Sequence, residues 1–166
     1  MNHVKHASRT GSNLAQTIPG YRGYTGTKVA HRTDRIFSEE ILSKLSEAVA
    51  TASRIKRHEG TSLDPEMLSS LETIEEKTEY LAQAVAETAF EDTSSGPHGH
   101  GLNGQLESLD ASILEKVGSI NQTLSMIDLE GAAGISGEDL DSISDLLGDL
   151  RNLIRRRATM LGGDQG

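Results

Sequence analysis

The sequence predicts an all-α protein: two helical hairpins, with four helices of about 25 residues, form a bundle or coiled coil behind a disordered basic N-terminal arm. Three observations lead there. Apolar residues recur at alternating steps of three and four in four separate stretches, which is the spacing of one helical face. Glycine, proline and serine stand between those stretches, where helices stop and start. Aromatics make up only 3% of the 166 residues, which argues against a large aromatic-lined pocket, and Cys is absent, so disulfide frameworks and thiolate zinc sites are excluded.

The elements follow in order. Residues 1–32 read as a flexible basic arm, and the helical pattern begins at Thr33. In the first hairpin, residues 33–92, Ile41, Leu45, Ala48, Ala52 and Ile55 make one stripe that Gly60 ends. Asp64 and Pro65 then supply an N-cap and a first-turn proline, and Met67, Leu71, Ile74, Thr78, Leu81 and Val85 carry the second stripe. Residues 93–104, rich in Gly, Ser, Pro and His, read as a linker. In the second hairpin, residues 105–161, the third stripe is Ile113, Val117, Ile120, Leu124 and Ile127. Ser136 caps the fourth helix, whose stripe is Leu140, Ile143, Leu147, Leu150 and Ile154; residues 162–166 form a tail.

The fourth stripe is wide. Leu146, Leu150 and Leu153 lie beside it, and a face that broad serves two neighbours. These three leucines are the expected association face of an oligomer or partner complex. The plainer alternative is a helix packed centrally in its own bundle.

The net charge of −9 conceals a polarity along the chain. Residues 1–35 carry six cations and one acid, residues 61–150 carry two cations and nineteen acids, and four arginines then fall between 151 and 157. Nucleic acid or an anionic membrane is repelled by such a body and is held only by the arm or the Arg151–Arg157 patch.

Candidate chemistry is sparse. No His has a Glu three residues before it, which removes the carboxylate di-iron bundles. His98 and His100 in the glycine-rich linker offer two imidazoles without a neighbouring acid cluster, so no metal or other cofactor is expected. Gly26-Thr27-Lys28-Val29 lacks the Gly-Lys-Ser/Thr order of a phosphate loop. No acid pair stands in an apolar setting, and no Ser neighbours a His and an acid, so an enzyme is not expected.

The arm holds the unusual content. Tyr21 and Tyr24 sit among glycines with Arg22, Lys28 and Arg32, and tyrosine with arginine on a pliable backbone is docking chemistry. The alternative is an arm whose tyrosines lean on the bundle. Ile18-Pro19-Gly20-Tyr21-Arg22-Gly23-Tyr24, running into Lys28, Arg32 and Asp34, resembles the opening segment of certain bacterial helical proteins; the likeness spans residues 18–35 and implies no activity. The expected function is therefore a non-enzymatic scaffold or adaptor. It would associate with itself or a protein partner through coiled-coil faces, with Tyr21, Arg22, Tyr24, Lys28 and Arg32 as the docking segment. The alternative is a polyanion binder, for nucleic acid or an anionic membrane surface. No apolar run reaches the ~18 residues of a membrane span, and a cytoplasmic location is expected.

Overall fold

The computed structural model describes residues 13–89 and 102–162. Among them there is no strand. The long helices are α1 (Thr27–Glu59), α2 (Pro65–Ala89), α3 (Leu102–Glu130) and α4 (Gly137–Gly162), with a 3-10 turn at Ala132–Gly134. Residues 13–17 form a further helical turn. None of the described helices is long and apolar enough to cross a membrane.

α1 begins six residues before the expected start and, at 33 residues, spans ~50 Å. Its stripe continues upstream of Ile41 through Phe37, Thr33 and Ala30, all buried. A stripe carried by Ala and Thr is helical in spacing but weakly apolar, which is why it reads as arm. Lys56, Arg57 and His58 stand in its last turn, where the carbonyl end of the helix dipole favours cations. The caps are as read. The Met67 N–H donates to Asp64 Oδ1 at 2.8 Å, and the Asp139 N–H donates to Ser136 Oγ at 3.2 Å. α3 starts at Leu102, so residues 102–104 belong to the helix rather than to the linker. The rest of that linker and His98 and His100 lie outside the described residues, as do residues 1–12 of the arm and 163–166 of the tail.

α1 packs against α2 and α3, and α4 packs against the same two helices. The pairs α1–α4 and α2–α3 are therefore diagonals across one core. Asn121 Nδ2 donates to the Lys44 carbonyl at 3.0 Å and Arg54 pairs with Asp128 at 2.9 Å, so α1 and α3 run in the same direction. Lys77 Nζ donates to Ser144 Oγ at 3.0 Å and Arg151 lies over the Tyr80 ring, so α2 and α4 also run together. The core between them is aliphatic, with Leu45, Leu71, Ile74, Ile120, Leu124 and Ile143 buried.

Two expectations are corrected by this packing. Leu150 is 0% exposed and belongs to the core, while Leu146 and Leu153 are half-buried against it. These leucines face inward because α4 has two helix neighbours within its own chain, so they are not a free association face. Residues 13–32 are not a free arm either. Leu14, Ile18, Tyr21 and Tyr24 are all buried in the same core, and residues 27–32 are the opening turns of α1.

Candidate functional site

The site is built by the segment that precedes α1. The helical turn at 13–17 ends where the Ile18 N–H donates to the Leu14 carbonyl at 2.7 Å, and Leu14 and Ile18 anchor it. Gly20 and Gly23 then take φ of 90° and 75°, a region that side chains disfavour. At Gly23 a Cβ would also run into the Glu107 carboxylate. These bends turn both flanking rings inward, leaving Tyr21 and Tyr24 each 2% exposed. The rings meet edge to face at 6.2 Å, and Tyr21 also meets Phe37 of α1 at 6.3 Å.

Both hydroxyls point at one carboxylate. Tyr21 Oη donates to Asp110 Oδ2 at 2.9 Å, and Tyr24 Oη donates to the same oxygen. Asp110, on α3, is 0% exposed. From α4, Arg157 Nε donates to Asp110 Oδ1 at 2.6 Å, Nη2 to Tyr24 Oη at 2.8 Å, and Nη1 to Asp34 Oδ1 of α1 at 2.8 Å. The guanidinium carbon lies 4.6 Å from the centre of the Phe37 ring. One cluster thus ties the 18–26 segment to α1, α3 and α4.

The electrostatics follow from burial and charge. Burial pushes the Tyr21 and Tyr24 hydroxyls well above their ordinary value; Asp110 adds to the rise at both, and Arg157 opposes it at Tyr24. Burial leaves the Asp110 carboxyl above its ordinary value, although Arg157 and the two hydroxyls pull it down. Burial works against the Arg157 charge, but Asp110, Tyr24 and Asp34 outweigh it and raise the guanidinium above its ordinary value. Burial, then the Asp110 charge, also raises Glu107. Three donors bond the Asp110 carboxylate, an arrangement that suits the ionised pair. Arg157 uses all three nitrogens within the cluster.

The residues expected to act together are therefore separated. Tyr21 and Tyr24 go inside; Arg22, Lys28 and Arg32 stay exposed on the outer face. Only the backbone of Arg22 is tied down, its N–H donating to Thr33 Oγ1 at 3.3 Å. Sequence reasoning missed Asp110 and the role of Asp34, and it placed Arg157 in the surface Arg151–Arg157 patch. Arg157 is instead buried and bonded within this cluster, so it is not part of a polyanion-binding surface. A signal was present for Asp110 and Arg157. Asp110 falls between Leu106 and Ile113 on the α3 stripe, and Arg157 falls between Ile154 and Leu161 on the α4 stripe, so opposite charges occupy core positions of two helices. Among the described residues no group of three His, Asp or Glu gathers to hold a metal.

No protein-family description matches the chain, and neither the curated proteins nor the solved structures contain a significant match to it.

Proposed function

We propose that this protein is a non-enzymatic helical scaffold that docks a partner protein on the basic end of its helices. One observation carries the reading: unpaired cations gather at that end. Arg22 precedes α1, Lys28 and Arg32 stand on its first turns, and Arg155 and Arg156 stand on the last turns of α4. The Arg157–Asp34 bond brings these two helix ends together. None of the five exposed cations forms an ion pair among the described residues. The tyrosines support the docking surface from beneath by fixing the 18–26 segment, rather than by touching the partner. The non-enzymatic reading rests on the buried cluster, whose tyrosine and arginine donors all bond within it.

The same cations favour a second reading, in which the end binds nucleic acid or an anionic membrane surface. With Tyr21 and Tyr24 buried, neither is available to stack on bases, which leaves a purely electrostatic contact. Replacing Arg22, Lys28, Arg32, Arg155 and Arg156 with Ser tests both. A protein complex of fixed stoichiometry that survives physiological salt and vanishes in the variant supports the scaffold. Binding to DNA or anionic vesicles that collapses between low and physiological salt supports the second reading. A variant that retains every interaction of the parent refutes both.

A further inference from the structure

A shallow groove, bridged midway by the Lys77–Ser144 hydrogen bond, runs along the outside of the molecule between α2 and α4, and its lining is polarised. Towards the N-terminal ends of both helices it is bordered by Glu66 and Asp141. Towards their C-terminal ends it is bordered by Lys77, Tyr80 and Arg151. Thr73 and Ser144 lie between these ends. Residues 61–150 hold only two lysines, so placing Lys77 and Arg151 in one groove makes a local basic spot in an acidic body. Tyr80 is 57% exposed there, with the Arg151 guanidinium 5.9 Å from its ring centre. Exposed tyrosine with arginine is the composition of interface anchors. Gly148 borders the same stretch, and a Cβ built on it would meet nothing within 4 Å, so the fold itself does not require glycine at that point.

The polarity is self-complementary. Lys77 bonds Ser144 and Tyr80 faces Arg151, so each pair stands within about a turn of a common level along two helices that run together. Glu66 lies as far before Thr73 as Tyr80 lies after it, ~10 Å along the helix in each direction. A two-fold axis perpendicular to the helices, passing between Thr73 and Ser144, therefore carries Glu66 of one copy to the level of Tyr80 and Arg151 of the other. The same rotation carries Asp141 to the level of Lys77. Glu66 thus shares a level with Tyr80 and Arg151 of the other copy, and Asp141 with its Lys77, an isologous arrangement. Glu76 stands beside Lys77 in the groove and weakens the charge match, so the association is reversible.

We propose that the α2–α4 groove is the interface of an antiparallel homodimer, with the groove of a second copy as its occupant. This inference uses none of the five cations of the basic end, so replacing those cations leaves the dimer intact. Analytical ultracentrifugation of the full chain over a range of concentrations tests it. The expected result is a reversible rise from the 17.8 kDa chain mass to twice that value. The double variants Lys77→Glu with Arg151→Glu, and Glu66→Lys with Asp141→Lys, should each sediment as monomers with unchanged helix content by circular dichroism. Mixed in equal amounts, the two variants should recover the dimer mass. A wild-type chain that stays at 17.8 kDa at the highest attainable concentration overturns the proposal and leaves the groove to a different protein. Charge-reversed variants that dimerise alone, or a mixture that stays monomeric, overturn it as well.

Discussion

Asp110 and Arg157 are buried charges whose full set of partners lies within the fold, so each depends on the other. Their attraction offsets the loss of water only while the geometry is complete. Arg157→Met leaves Asp110 without its guanidinium and is expected to cost ~3–5 kcal/mol in urea unfolding. Adding Asp110→Asn to that variant removes the orphaned charge and should recover part of the loss, so the two effects are non-additive in a double-mutant cycle. The tyrosines give a pH signature. In the folded chain both hydroxyls titrate well above the ordinary 10.0, so the folded state keeps two protons that the unfolded chain releases. Their contribution is complete below pH 10.0 and is lost as the pH rises further. The slope is ~1.4 kcal/mol per pH unit for each tyrosine. Urea midpoints measured through the alkaline range should fall accordingly, and Tyr21→Phe with Tyr24→Phe should flatten the fall.

Among the elements, α4 lies between two neighbours within its own chain, and Leu150 is the residue that decides what its wide stripe means. Leu150→Glu buries a carboxylate without a partner and is expected to abolish the cooperative thermal transition by circular dichroism. Leu150→Ala, which leaves a cavity, should cost ~2–5 kcal/mol with helix content kept. A Leu150→Glu variant as stable as the parent would return this residue to the surface. The helices were legible in the sequence wherever large aliphatic residues mark their stripes, as with Leu71, Ile74 and Leu81 in α2 or Ile120, Leu124 and Ile127 in α3. The opening of α1 was not, because Ala30 and Thr33 carry the stripe there and the surrounding arginines and glycines have the composition of a flexible arm. Nor were the destinations of Tyr21 and Tyr24 written locally. Their hydroxyl partners lie 89 and 86 residues away on α3, a distance that no local pattern spans. What the sequence did hold was the pair of charges at core positions, Asp110 and Arg157.

For the whole molecule, the chain polarity survives folding as a spatial one. The acids of residues 61–150 fall mainly on α2, α3 and α4, while Arg22, Lys28, Arg32, Arg155 and Arg156 share the end that the tyrosine segment closes. Such a dipolar surface orients an approaching charged partner before contact. Its shape rests on the 18–26 segment holding fast to the core, because Arg22 and the entry to α1 are placed by that segment. The most direct test is amide hydrogen exchange of residues 18–26 in the full chain at neutral pH. The segment is held from three helices at once, so its Tyr21 amide, bonded to the Ile18 carbonyl, should exchange as slowly as core amides of α3 and open only with global unfolding. Exchange there at the rate of an unstructured peptide would contradict the account, because the tyrosines would then be free of Asp110 and the segment a loose arm.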